Sequence, residues 1–128
     1  MIYLDNNNHL LDILRFINSL QRNVSSCDIN NNCLRPILGL NNTLEYNTRP
    51  VTFYLCNNEL LTVSYTTSAG VEETSSVFRV ENVSNNCVTL RLLQEQDDGT
   101  YTNTNEFATI NIDCICAIRC LADAFVPL

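Results

Sequence analysis

The chain has no lysine, no tryptophan, one histidine, and only three glycines and three prolines among its 128 residues. Without lysine, neither Lys–Asn nor Lys–Gln bonds can cross-link it into a polymer. Cysteine is then the obvious cross-linking residue, with the five tyrosines a distant second. The missing tryptophan removes the most useful ring for a sugar-binding groove. Positive charge is also scarce, with 7 basic against 14 acidic residues and a formal net charge of −7. No basic cluster exists to displace counterions, so the pattern excludes a nucleic-acid partner. Attraction to an anionic membrane surface fails on the same grounds. No segment reaches the roughly 18 apolar residues of a membrane-crossing helix. Met1 to His9 lacks the basic start and apolar centre of a secretory signal. The sequence therefore predicts synthesis in a cytoplasm, where thiols stay reduced.

The familiar catalytic constellations are absent too. His9 stands in an asparagine-rich segment, and a Cys–His nucleophile pair would require that segment to fold back onto a thiol. A solvated histidine is the simpler reading. The acidic pairs Glu72–Glu73 and Asp97–Asp98 fall in predicted loops. Neither has the surroundings of a calcium loop or a glycosidase dyad. No phosphate-binding loop accompanies them. The expectation is a non-enzyme with no cofactor, no metal and no small-molecule substrate.

What is present is a set of seven cysteines, Cys27, Cys33, Cys56, Cys87, Cys114, Cys116 and Cys120. A chain of this length buries roughly two-thirds of its unfolded surface, so it can build a core without disulfides. Seven is odd, so complete internal pairing would leave one thiol free or available to another chain. Nineteen asparagines, several in adjacent pairs, mark the turns; a compositional bias of the genome would produce the same excess.

Residues 1–9 read as an asparagine-rich arm, and 10–128 as one domain. Leu10, Ile13, Leu14, Ile17 and Leu20 follow the spacing of an amphipathic helix, widened by Leu11 and Phe16. It is expected over 10–22, with Asn8 as its N-cap. A polar loop with Cys27 follows. Beyond Cys33 the pattern changes to short strands: 34–40, 50–56, 60–67, 77–83, 87–94 and a long last strand from Phe107 to about Leu121. Asn57–Asn58, Asn85–Asn86 and Asp98–Gly99 supply the turns. The fold class is mainly β: an antiparallel β-sandwich of about six to eight strands with one N-terminal amphipathic helix.

Read as one strand, the last segment places Ala108, Ile110, Ile112, Cys114, Cys116, Ile118 and Cys120 in one row. Neighbours at i and i+2 lie about 6.5 Å apart, too far for a bridge between Cys114 and Cys116 in regular geometry. They are core thiols, or they bridge another strand or another subunit. Cys120, beside Arg119, is the first choice for an exposed thiol. Zinc is set aside, because Cys-x-Cys is tighter than the usual ligand spacing and Cys27 to Cys33 is wider. Cys27 and Cys33 flank a loop, where either an internal or an inter-subunit bridge fits. Cys56 and Cys87 adjoin asparagine turns at strand ends, and serve either as rim residues or as contacts between copies.

Four stretches carry a resemblance to a known family. They are Arg15 to Gln21; Asn47 to Pro50; Phe78 to Glu81 with Asn86–Cys87 and Leu90 to Leu92; and Ile112 to Leu121 with its Cys-x-Cys-x-x-x-Cys run. Cys33, Pro36 and the Leu38–Gly39 turn are also similar. Together they resemble the cysteine-rich spore proteins of the CotY/CotZ/ExsY type, from the coat and exosporium of endospore-forming bacteria. The resemblance runs from about residue 10 to residue 124. It implies a structural protein that assembles with itself, and with other coat or exosporium proteins, into an ordered lattice. It further implies reinforcement by disulfides between subunits, with all seven cysteines as candidates. Synthesis in the mother cell and later oxidation would follow. The negative charge would keep the monomer soluble before assembly. Two other classes remain open: a monomeric β-sandwich binding a carbohydrate or partner protein, with buried structural thiols, and a thiol redox protein using Cys120 beside Arg119.

Overall fold

The computed structural model describes residues 2–3, 7–22, 33 and 46–128. Strand β1 is Ile2–Tyr3, helix α1 is Asn7–Arg22, and β2 is Val51–Leu55. β3 (Val63–Thr66) and β4 (Glu72–Ser75) follow, then β5 (Val77–Ser84), β6 (Cys87–Glu95) and β7 (Tyr101–Asn111). A 3-10 turn at Ile112–Cys114 leads into β8, Ile115–Cys120. Cys27 and the strand expected over 34–40 lie outside the described residues.

The class is the expected one: mainly β, antiparallel, with a helix near the N-terminus. The two sheets are unequal. Six strands run in the order β1-β8-β2-β5-β6-β7, and β3 pairs with β4 separately. Within the segment expected to be an arm, Ile2 and Tyr3 pair with Ile118 and Ala117 of β8. The helix begins at Asn7, so Asn8 lies inside its first turn rather than capping it.

The large sheet is strongly curled, and the chain length requires it. β7 and β8 stand four places apart in strand order, about 19 Å if the sheet were flat. Only the 3-10 turn joins them, and Asn111 to Ile115 can stretch about 14 Å at most. Three register shifts supply the bending, at Tyr54/Leu55, at Val80/Asn82 and between Arg91 and Leu93. Asn105 sits at the last of them with φ 60°. β2 and β5 touch at one register pair only, Val51 with Phe78, so the strands splay there.

The curl encloses α1. Leu10, Ile13, Leu14 and Ile17 join Val51, Phe53, Phe78, Val80, Leu90, Leu92, Ile112 and Ile118 in one buried cluster. Each such side chain contributes about 1.5–3 kcal/mol of burial. The two-stranded sheet adds Tyr65 and the partly buried Val63 to the same core. On the opposite face Val126 packs against Val77 and Leu93, so the C-terminal segment covers part of the sheet from outside. The asparagine turns form as expected: Asn58 and Asn85 take φ of 67° and 51°, which asparagine tolerates better than most residues.

The last segment differs from the expectation. It is not one strand but two, β7 against β6 and β8 against β2 and β1. The break has a local cause. The Asn111 side chain accepts a hydrogen bond from the Asp113 backbone N–H at 2.9 Å, which caps the 3-10 turn. Ile112 is 1% exposed and anchors the turn in the core, and its N–H donates to the Asn86 carbonyl at 2.7 Å. The single row of three cysteines therefore does not form. Glu72 and Glu73 also depart from expectation, since they lie on β4 rather than in a loop.

Candidate functional site

Among the described residues the cysteines divide into two internal disulfides and two free thiols. Cys33 is bonded to Cys120, and Cys56 to Cys116. Cys87 and Cys114 are free and exposed. Cys120 was expected to be the exposed thiol; it is instead 9% exposed and bonded to Cys33, itself 2% exposed. The reason is its register. Cys120 lies opposite Val51, on the face of β8 that points toward the helix, while Arg119 points out. Arg119 therefore has no thiol beside it to activate, and the redox reading loses its one support. Cys33 does not pair with Cys27, because its partner is Cys120.

A polar network holds the Cys33–Cys120 bond in place. Arg49 is fully buried. Its Nε donates to Asp123 Oδ1 at 2.8 Å and its Nη2 to Oδ2 at 3.2 Å. This paired geometry is the strong form of an Arg–carboxylate contact. Nη1 donates to the Cys33 carbonyl at 3.0 Å. One guanidinium thus ties Cys33 to a residue three places beyond Cys120. Gln21, at the end of α1, accepts from the Arg49 backbone N–H at 3.0 Å and donates to the Val80 carbonyl at 2.8 Å.

The network continues on the outer face of the sheet. Arg79 donates to the Thr48 hydroxyl and the Asn47 carbonyl, and Glu81 accepts from both Arg79 (2.6 Å) and Arg91 (3.0 Å). Arg91 also lies over the Phe107 ring, 4.6 Å from its centre, and donates to Asn103. Burial pushes the Glu81 carboxyl up. The hydrogen bonds and charges of Arg91 and Arg79 outweigh that and hold it below the usual carboxylate range. Three of the stretches behind the family resemblance meet here, through Gln21, Asn47 to Arg49, and Arg79, Glu81 and Arg91. Their shared property is placing the chain, not touching a ligand.

The second disulfide has different surroundings. Cys56 is exposed and follows β2 directly; Cys116 is half-buried in β8. Cys114 ends the 3-10 turn two residues before Cys116. Cys87 opens β6 and pairs with Asn111, three residues before Cys114. One disulfide and both free thiols therefore gather along the 3-10 corner. Sequence reasoning placed Cys56 and Cys87 correctly at strand ends, beside asparagine turns. It could not see that the curled sheet brings Cys56 to Cys116.

A polar cleft of about 380 Å³ lies elsewhere, between Tyr65 to Ser68, Gln94 and Thr102 to Asn105. Its one aromatic ring is Tyr65, whose hydroxyl donates to the Gln94 side chain.

A family model described as Spore coat protein Z matches residues 4–107. The chain belongs to the spore coat protein Z family. Membership points to a structural role in the spore coat and deposition there, and suggests a non-enzyme. The matched residues take in the helix and the strands from β2 through most of β7. They stop before Cys114, Cys116 and Cys120, the Cys-x-Cys-x-x-x-Cys run that carried part of the resemblance. No curated protein and no solved structure matches the chain.

Proposed function

We propose that this spore coat family member assembles with itself into an ordered array and is locked there by disulfides between subunits. Cys87 and Cys114 are the residues that carry the links. The observation behind this reading is the division of the cysteines. Of the six described cysteines, four are engaged inside the domain, while Cys87 and Cys114 stand exposed and free on a framework fixed by the core and the Arg49 network. An exposed thiol on a rigid element presents its sulfur at a defined position, which suits a repeating contact. Copies made in a reducing mother cell would first associate noncovalently. Oxidation after lysis would then harden the array. Other coat or exosporium proteins are further partners under the same scheme.

Negative-stain electron microscopy of the purified protein, with and without strong reductant, tests assembly. Ordered arrays are expected in both conditions, with those formed without reductant resisting detergent. The Cys87→Ser/Cys114→Ser variant should still form arrays but should lose detergent resistance. Monodisperse single particles throughout would overturn the proposal.

A further inference from the structure

We infer that the Cys56–Cys116 disulfide is a transferable bond, and that copies of this chain become linked by thiol–disulfide exchange with it. This rests on the assembly reading above and names its chemistry. The co-reactant is a second copy of the chain, presenting Cys87 or Cys114.

Three observations carry it. The first is access. Cys56 is exposed, whereas both sulfurs of the other bond are buried. Exchange requires a thiolate to reach a disulfide sulfur, so one bond is open to attack and the other is shielded. The second is placement. Cys114 lies two residues from Cys116, and Cys87 pairs with the residue three places before Cys114. A neighbour that docks its 3-10 corner against the same corner of this chain brings attacking and attacked sulfurs into one contact. The third is the unequal exposure of Cys56 and Cys116. The more exposed Cys56 is the sulfur that an incoming group meets, which makes Cys116 the leaving group.

The step balances. The thiolate of Cys87 or Cys114 on one copy bonds to the Cys56 sulfur of the next. The Cys56–Cys116 bond breaks, and Cys116 leaves as a thiolate that takes up the proton lost by the attacker. Nothing is oxidised or reduced overall. Each exchange consumes one thiol and frees another, two residues from the exposed Cys114. Linking therefore spreads from copy to copy without external oxidant. The Cys33–Cys120 bond stays in place and keeps the domain folded while the other is traded.

The test mixes isotopically light and heavy protein, each carrying both disulfides, in oxygen-free, chelator-treated buffer. Non-reducing gels should show a ladder that grows with time. Mass spectrometry should find light–heavy peptides joining Cys56 to Cys87 or Cys114. Alkylating the free thiols beforehand leaves both disulfides intact and should abolish the ladder. The Cys56→Ser/Cys116→Ser variant should give no ladder without oxidant and regain one when oxidant is added. A ladder that forms only with oxidant in the wild-type protein would overturn exchange and leave the assembly reading standing. Absence of any ladder under both conditions would overturn both. A ladder that survives in Cys87→Ser/Cys114→Ser would overturn the assignment of the attacking thiols.

Discussion

The two ends of β8 hold the same bond in opposite settings. At its C-terminal end, Cys120 meets Cys33 in the core beneath a buried Arg49–Asp123 pair. Near its N-terminal end, Cys116 meets an exposed Cys56 beside the free thiol of Cys114. Loop closure does not separate them. The sequence separations are 87 and 60, and in the chain-entropy picture that ratio is worth only about 0.3 kcal/mol. The difference is access. One end is built so that nothing in solution reaches the sulfurs, and the other so that something can. A single short strand thus combines a staple with a reactive corner, and the register of β8 decides which is which.

The comparison breaks most sharply at Arg49. Arg49→Met removes the partner of a carboxylate whose side chain is 1% exposed. Breaking a buried ion pair by removing one member costs about 3–5 kcal/mol. Chemical denaturation should show a loss of that size. Arg49→Met/Asp123→Leu should recover a good part of it, since neither charge then remains. If the single variant keeps wild-type stability, the closed end is not held by this pair.

Selective reduction comes next. Under native conditions a low concentration of dithiothreitol should open Cys56–Cys116 and leave Cys33–Cys120 intact until the protein unfolds. Alkylation of the released thiols followed by peptide mapping reads the order. Cys33→Ala/Cys120→Ala should lower stability by about 2–4 kcal/mol. Simultaneous reduction of both bonds would erase the distinction between the ends.

How much of this was legible beforehand follows from the range of the signals. The helix announced itself because Leu10 to Leu20 carry a local periodicity, and the hairpin turns because asparagine and glycine tolerate positive φ. β4 was missed because Glu72 to Thr74 are exposed and show no alternation. The first half of β7 was missed because an edge strand with a bulge at Asn105 wears polar residues on both faces. The 3-10 break had a faint local signal in Asn111 two residues before Asp113, which reads as a side-chain-to-backbone turn. The disulfide partners had none. Pairing Cys56 with Cys116 depends on β2 and β8 becoming neighbours across a curled sheet. Pairing Cys33 with Cys120 depends on an arginine that clamps two distant segments.

A pH titration tests the outer face, where Glu81 joins Arg79 to Arg91. Glu81 has its folded pKa lowered, so its contribution is present above the unfolded value of about 4.3 and disappears as pH falls through the folded value. Stability of the wild-type protein should therefore drop on acidification below that point. Glu81→Gln should flatten this part of the acid limb and lower stability at neutral pH by about 1.5–3 kcal/mol, the worth of hydrogen bonds to a charged group. An unchanged acid limb in the variant would mean that Glu81 does not couple Arg79 to Arg91.

The smallest effect lies at the closed end of β8. Thr52 pairs with Arg119 across the β2–β8 ladder, and its hydroxyl oxygen is buried without a hydrogen-bond partner among the described residues. An unsatisfied buried polar group carries its desolvation penalty with nothing to offset it, about 1–3 kcal/mol. Thr52→Val removes that penalty and puts a methyl group in nearly the same space. The valine also favours the strand. Thermal melting should rise by an amount equivalent to about 1 kcal/mol, while the alkylation rates of Cys87 and Cys114 stay unchanged. A fall in stability would show that the hydroxyl finds a partner in solution. A change in thiol reactivity would be more telling, because it would mean that the closed end of β8 transmits strain to the reactive corner and that the two ends are not independent.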